Sequence, residues 1–227
     1  MVRAILEGRK TQTRRVLKPQ PDLVTDGFAV RFTPDDQRHG RLGVSMQCPY
    51  GQVGDRLWVR ETWHPDPDAD SEAWFDHTDS YVSWAGCGSR IDGVPVALRS
   101  PESCIYREGW NGSALKWRPG IHMPRWASRI TLEVTGVRVE GLQDITHEQA
   151  IAEGVHAIDV GSGYQPRYSA INASWADVVE QQADAYEDAT MAFRDLWQSI
   201  NGAGSWDANP WVWVVEFKRL EAEAKAA

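Results

Sequence analysis

Three stretches of the sequence have the apolar pattern of β-strands, and the segments that separate them do not contain a repeated helix. They are residues 56–63, 128–139 and 211–219. In the second stretch the apolar positions change parity at Gly136, which predicts two strand pieces joined by a bulge or turn. Strands mixed with short helices and irregular loops, without a repeated βαβ unit, predict an α+β domain or a small barrel.

Short helices are predicted where capping residues stand next to apolar segments. The chain begins with a helix-compatible segment, Val2–Leu6, which Gly8 can end in a left-handed conformation. The run Thr146-His-Glu-Gln149 is a capping box. The helix that it begins is expected to stop at Gly154, with Glu153 in its last turn.

The remaining segments are assigned from the same kinds of signal. Residues 10–17 and Phe28–Phe32 are predicted as strands, and residues 155–173 as loop. Ser174 is a candidate cap for another helix. Before Gly202, apolar residues at helical spacing predict a buried stripe: Phe193, Leu196, Trp197 and Ile200.

The overall charge limits the kinds of partner that the protein can have. A formal net charge of -8 disfavours tight, nonspecific binding to long nucleic acid, which relies on many phosphate contacts. A small site for one nucleoside or a short strand stays open. No apolar run approaches the roughly 20 residues that span a bilayer. Because the N-terminus also lacks a signal-like segment, the cytoplasm is the expected compartment, which is the host cytoplasm if a phage encodes the protein.

Cysteine and tryptophan usage bears on cofactors and ligands. The three cysteines are odd in number and widely spaced, without CxxC spacing, so free thiols are expected instead of disulfides or zinc. We expect no metal and no organic cofactor. Tryptophan supplies 12 of the 23 aromatic residues. Tryptophan serves both in cores and in base-stacking platforms, and core packing is expected for most of these residues.

The N-terminal segment is a basic exception in an acidic chain. Between Arg3 and Lys18 a single acid, Glu7, stands among six cations: Arg3, Arg9, Lys10, Arg14, Arg15 and Lys18. The hydroxyls of Thr11 and Thr13 lie in the same segment. Such a cluster suits an anionic or strongly polar ligand, but charge alone favours the alternative, a solvated basic edge.

Two pairs of residues in the sequence are candidates for contact with a ligand. In a regular strand Lys10 and Thr13 face opposite sides, but they can converge at a helix–strand junction such as the one that Gly8 supplies. Arg125 and Trp126 could stack on or clamp a base, with ordinary packing as the alternative.

Common phosphate-binding, dinucleotide, nucleophile-elbow and zinc-protease motifs do not occur in the sequence. Five other segments occur in a typical order: Ile5-Leu-Glu-Gly-Arg-Lys-Thr-Gln-Thr-Arg-Arg15, Gly54-Asp-Arg-Leu-Trp-Val59, Ile130-Thr-Leu-Glu-Val-Thr135, residues 142–153 and Trp213-Val-Val-Glu-Phe-Lys218. With them the chain resembles the ASCH-domain family of the PUA-like group, in particular its longer phage and prophage versions.

This resemblance implies a PUA-like β-barrel with flanking short helices in a single domain over residues 1–220. Two insertions are implied at about 60–118 and 156–190, the first with a short strand near Ile105. Residues 221–227 are expected to be a frayed tail.

The resemblance also implies an activity. A small bacterial member of the family is an amidohydrolase that acts on N4-acetylcytidine, with a lysine and a threonine of a Gly-x-Lys-Thr-x-Thr motif and a glutamate. These map onto Lys10, Thr13 and Glu153. Other members are described as RNA-binding or ribonuclease-like, so a binding module and a ribonuclease are the alternatives.

The expected roles follow from this assignment. Thr13 would be the nucleophile, Lys10 its base if burial leaves the amine neutral, and Glu153 would orient Lys10 or shuttle protons. Further residues are expected to bind the substrate: Arg9, Thr11, Arg15, Arg125 and Trp126. The expected partner is a modified nucleoside or short RNA and not a membrane, and the oligomeric state is open.

Overall fold

A computed structural model describes residues 1–26, 28–32, 43–66, 69, 93–112 and 116–221. The chain divides into two compact units. The first consists of residues 3–55 and 133–219 together with Met1, and the second of residues 56–132 together with Val2 and the chain from Leu220 onward. Each unit is described by itself.

Eleven strands and four α-helices, together with five short 3-10 helices, make up the regular structure of the described residues. The strands are β1 (Gln12–Val16), β2 (Leu23–Thr25), β3 (Phe28–Phe32), β4 (Gly43–Ser45), β5 (Arg56–Trp58), β6 (Trp63–Pro65), β7 (Cys104–Tyr106), β8 (Thr131–Gly141), β9 (His156–Ile158), β10 (Arg167–Ser169) and β11 (Trp211–Leu220). The helices are α1 (Val2–Leu6), α2 (His147–Ala152), α3 (Trp175–Val179) and α4 (Ala189–Asn201). Mixed strands and short helices around a curled antiparallel sheet confirm the predicted α+β class.

The main sheet of the first unit places β11 between β1 and β8. Strand β1 runs antiparallel to β11, with Thr13 opposite Val215 and Arg15 opposite Trp213. Because β1 lies at the edge of the order, only one of its sides pairs with a strand of this sheet. The segment that carries the basic cluster is therefore fixed along one side and accessible to other elements along the other.

The turn predicted at Gly136 is wrong, because β8 runs without interruption from Thr131 to Gly141. The change in parity itself is real, since Leu132 and Val134 are buried before Gly136 and Val139 is buried after it. A Cβ on Gly136 would lie 2.7 Å from a carboxylate oxygen of Glu216. The glycine makes room for a side chain of the neighbouring strand and does not mark a break.

Two of the predicted helices form as expected, and so does the turn that ends the first. Helix α1 covers the predicted residues, and Gly8 after it has a φ of +74°. The Thr146 hydroxyl accepts a hydrogen bond from the Gln149 amide at the start of α2, and Glu153 is its C-cap residue.

Ser174 caps α3 as predicted. The predicted stripe on α4 is only partly core, because Phe193 and Trp197 are buried but Ile200 is 56% exposed. Ile200 lies in the last turn of the helix, where it lines a pocket instead of the core.

The loop prediction for residues 155–173 is wrong, because β9 and β10 form an antiparallel hairpin there. Each strand has three residues, which is too short to show a period-2 pattern in the sequence. The main chain of Tyr168 in β10 also exchanges two hydrogen bonds with that of Tyr186, at 2.8 Å each. These contacts hold the hairpin against the segment before α4.

The core of the first unit forms where α2 and α4 pack together over β11. Its buried residues are Leu142, Ile145, Ala150, Val155, Ala189, Ala192, Phe193, Trp197, Val212 and Val214. Burial of this apolar surface is the main force that holds the two helices in place. Both helices carry residues of the site described below.

In the second unit, β5 pairs with the first residues of β8 in antiparallel orientation. Next to this pair, the Val59 amide donates to the Ile130 carbonyl at 3.0 Å. Strands β6 and β7 pair in antiparallel orientation, which confirms the strand predicted near Ile105. The predicted strand over residues 56–63 is therefore two shorter strands. The core of this unit contains Trp63, Val94, Leu98, Cys104, Tyr106, Met123 and Ala127.

Cys48 and Cys104 are free thiols, as predicted, whereas Cys87 lies outside the described residues. Burial raises the pKa of the Cys104 thiol to about 12, which keeps it neutral. The predicted frayed tail lies outside the described residues from position 222 onward. None of the helices in the described part of the chain has the length and apolar character required to cross a membrane.

Candidate active site

The turn between α1 and β1 directs Lys10 into the first unit. The Lys10 amide donates to the Ala4 carbonyl, and the Thr11 amide donates to the Ala152 carbonyl, both at 2.9 Å. The turn after α2 lies directly against this segment, because a Cβ on Gly154 would come 3.2 Å from Ala4 Cβ and 3.3 Å from Lys10 Cβ. The two turns therefore bring Lys10 beside the C-terminal end of α2.

Lys10 and Glu153 form a buried ion pair. Lys10 Nζ lies 3.0 Å from Glu153 Oε2 and donates a second hydrogen bond to the Glu153 carbonyl at 2.6 Å. Burial is the main cause that lowers the pKa of Lys10, and the Glu153 carboxylate opposes it. The positive charges of Arg15 and Arg14 lower that pKa further.

Arg14 is the residue of this site that the sequence analysis missed. Its side chain is fully buried, and Nη1 lies 3.2 Å from Glu153 Oε1. Nη2 donates to Glu140 Oε2 at 2.8 Å and to Gln149 Oε1 at 2.9 Å. Nε is buried and has no hydrogen-bond partner among the described residues.

Strand alternation explains the burial of Arg14. Side chains at every second position of a strand share a face, so Gln12 and Arg14 lie on the same side of β1. Both are buried, whereas Thr13 is half-buried and Arg15 exposed. The sequence does not show which face of the strand is inward, so it does not by itself identify Arg14.

The ion pairs continue from this centre toward the surface. Glu140 also pairs with Arg138, and Arg138 pairs with Glu216 on β11. Cations and carboxylates therefore alternate in the order Lys10, Glu153, Arg14, Glu140, Arg138 and Glu216. Such alternation lowers the cost of burying the inner charges, because each one has a partner of opposite sign.

A pocket of about 290 Å³ opens beside this network. Of the predicted site residues, Thr13, Arg15 and Glu153 line it, and Arg14 lines it with them. The aromatic side chains of its wall are Tyr50, Phe193, Trp197 and Trp213. The pocket thus combines charged groups with flat apolar surfaces.

Lys10 and Thr13 do not meet directly. Among the described residues the hydroxyl of Thr13 has no hydrogen-bond partner, and Lys10 is not one of those that line the pocket. Glu153 connects the two, since its carboxylate contacts Lys10 and it lines the same pocket as Thr13.

Arg9 and Thr11 lie next to the ion pair with their own contacts. Arg9 pairs with Glu7 at 2.7 Å and donates to the Gly154 carbonyl at 3.4 Å. Thr11 is exposed, and its carbonyl accepts a hydrogen bond from Phe217 in β11. A role for either in substrate binding stays a prediction.

Arg125 and Trp126 belong to the second unit. Arg125 is exposed, and its Nη2 donates to the hydroxyl of Thr131 at 3.3 Å. Trp126 packs edge-to-face against the buried Trp63, with ring centroids 5.5 Å apart. These contacts match the ordinary-packing alternative, while a base clamp at this place stays a prediction.

Within the described part of the chain, no three His, Cys, Asp or Glu side chains are grouped as a metal site requires. Comparisons with protein-family models, with curated proteins and with solved structures find no match for this chain.

Proposed function

We propose that this protein hydrolyses the amide of an N4-acylated cytidine or a similar modified nucleoside, on a fold of the PUA-like, ASCH type. One observation carries the proposal. Glu153 contacts the buried Lys10, whose pKa is lowered, and it lines the same pocket as Thr13. A hydroxyl, a carboxylate and an amine of reduced basicity are the groups that acyl transfer requires.

In the first half-reaction the oxygen of Thr13 attacks the acyl carbon. The proton of the hydroxyl passes through the Glu153 carboxylate to the neutral amine of Lys10. The tetrahedral intermediate then breaks its C–N bond, and the same proton returns to the departing N4 amine. The products of this step are cytidine and an ester on Thr13.

In the second half-reaction water attacks this ester. The Lys10–Glu153 pair accepts a proton from the water and returns it to the oxygen of Thr13 as the C–O bond breaks. The carboxylic acid leaves, and the enzyme is restored. Arg15, which is exposed and lines the pocket, would stabilise the oxyanion of both tetrahedral intermediates.

Arg14 would act as a positioning residue in this scheme. It contacts the carboxylate oxygen that Lys10 does not use, so the Glu153 carboxylate accepts from both side chains at once. These two contacts fix the orientation of the carboxylate. The positive charge of Arg14 also favours the neutral form of Lys10, which is the form that can accept a proton.

The size and the wall of the pocket support a nucleoside as ligand. Its volume of about 290 Å³ is near the lower end of ligand sites, about 300 Å³. Of the aromatic residues in its wall, Tyr50 is 41% exposed and offers a stacking surface for a base. Because stacking requires no chemistry, the same wall also supports the second candidate, a module that binds a modified base without hydrolysis.

The test is incubation of purified protein with N4-acetylcytidine and, separately, with short RNA, followed by chromatography of the products. Acetate and cytidine in equal amounts are expected. Bound but unchanged N4-acetylcytidine would favour the binding module instead. Shortened RNA would indicate the ribonuclease alternative.

A further inference from the structure

The hairpin of β9 and β10 and helix α3 border a second pocket in the first unit, which the proposed reaction does not use. Its volume is about 870 Å³. Most of its lining comes from the segment that the family resemblance leaves as an insertion, residues 156–190. The pocket is therefore formed mainly by this insertion and not by the segments that carry the family resemblance.

Three aromatic side chains line this pocket. Tyr164 is 77% exposed and Trp175 is 40% exposed. Tyr168 is half-buried, and its ring meets that of His147 edge-on with centroids 4.7 Å apart. These exposed fractions leave the ring faces of Tyr164 and Trp175 accessible to a ligand with a flat ring.

Two side-chain pairs lie around the pocket. Arg167 Nη1 lies 2.7 Å from Glu187 Oε1. His147 Nδ1 lies 3.1 Å from Asp188 Oδ1. Because a phosphate would approach two carboxylates here, the pocket suits the ring of a ligand and not an anionic group.

We propose that this pocket binds a nucleobase, held by stacking on Tyr164 and Trp175. The amide of Gln165, which also lines the pocket, offers both a donor and an acceptor to the edge of a base. The base can belong to a free nucleoside or to single-stranded RNA. The two sources share the same chemistry at the pocket.

Helix α2 connects this pocket with the candidate active site. His147 begins the helix and lines the second pocket, and Glu153 caps its end and lines the first. Six residues at 1.5 Å rise each separate the two by about 9 Å along the helix.

The experiment measures binding by calorimetry with unmodified ligands, so it requires no hydrolysis. The probes are uridine, cytidine and adenosine as free nucleosides, and hexameric oligouridine and oligoadenosine as strands. The variants are Tyr164→Ala and Trp175→Ala, each with its aromatic counterpart, Tyr164→Phe and Trp175→Phe. Phe28→Ala is the matched control, because Phe28 is an aromatic residue 65% exposed outside both pockets.

Each alanine variant is expected to weaken binding at least about fivefold, while the phenylalanine variants and Phe28→Ala keep the wild-type affinity. A loss with free nucleosides identifies a nucleoside site, and a loss with oligonucleotides alone identifies a site for RNA. Unchanged affinity in both alanine variants, or wild-type protein that binds none of the probes, overturns the proposal. If N4-acetylcytidine is not hydrolysed, the proposed function fails while this binding result still stands.

Discussion

Lys10 Nζ lies 3.0 Å from Glu153 Oε2, and the two side chains are only 5% and 4% exposed. Burial opposes the charge on Lys10, and Glu153 favours it. The protonation of Lys10 therefore depends on the balance of two strong effects. A change in either partner is expected to alter both the stability of the fold and the pH at which the lysine titrates.

Replacement of Thr13 by valine tests the nucleophile. The change keeps the β-branched shape in β1 but removes the hydroxyl, so kcat is expected to fall more than about a thousandfold. The melting temperature should stay near that of the wild type. Thr13→Ser is the control and should keep measurable turnover. Near-normal kcat in Thr13→Val, with the fold intact by circular dichroism, would rule out the assigned mechanism.

Replacement of Arg14 by methionine tests the positioning role of the arginine. Removing one partner of a buried ion pair is expected to cost about 3–5 kcal/mol in the free energy of unfolding. Arg9→Met is the control, because Arg9 pairs with Glu7 near the surface and should contribute about 1 kcal/mol or less. Urea denaturation measures both. If Arg14→Met and Arg9→Met lost the same small amount of unfolding free energy, the result would contradict a structural role for the buried network.

The same Arg14→Met variant should also shift the pH dependence of kcat/KM. Arg14 lowers the pKa of Lys10, so its removal is expected to move the rise in rate to higher pH. A purely structural role would lower the activity without this shift.

Replacement of Gly154 by alanine tests the packing of the two turns. The new Cβ would lie 3.3 Å from Lys10 Cβ and would sit at a φ of +97°. Gly161→Ala is the control, because its φ is +101° but its Cβ would meet nothing within 4 Å. In both variants an alanine at positive φ is expected to cost about 1–2 kcal/mol of unfolding free energy. Only Gly154→Ala is expected to lose more stability than this and to lose activity. Equal effects in the two variants would contradict the close packing of Lys10.

The titration of Lys10 should be visible in stability as well. Its folded pKa lies below its unfolded value of about 10.4. Between these two values the unfolded chain binds more protons, so the contribution of Lys10 to stability is lost as pH falls through the folded pKa. The difference in unfolding free energy between wild type and Lys10→Met is therefore expected to shift in favour of the wild type as pH rises through this window. A difference that is constant up to about pH 10 would show that the lysine is not perturbed.

Part of this architecture could be predicted from local signals in the sequence. The cap at Thr146 and the turn at Gly8 depend on neighbouring residues alone, and both are confirmed. The ion pair of Arg14 with Glu153 joins residues 139 positions apart, so only the tertiary fold reveals it. The pairing of Lys10 with Glu153 was expected from the family resemblance and not from any pattern in the residues.

The hairpin of β9 and β10 could not be predicted from the sequence for a different reason. Its three-residue strands carry too few positions for a periodic pattern, and Tyr168 is held by main-chain bonds to Tyr186, far outside the hairpin turn. The exposed side chain of Ile200 was missed for a related reason. Helical spacing indicates which residues share a face, but not which turn of the helix extends past the core.

The most direct test of the account is the pH dependence of kcat/KM for N4-acetylcytidine in wild type and in Glu153→Gln. If neutral Lys10 is the base, the wild-type rate should rise with pH through an apparent pKa below that of free lysine, about 10.4. Because Glu153 raises the pKa of Lys10, Glu153→Gln should lower this apparent pKa even as it reduces turnover. A wild-type profile that is flat between about pH 6 and 10 would contradict the role of Lys10.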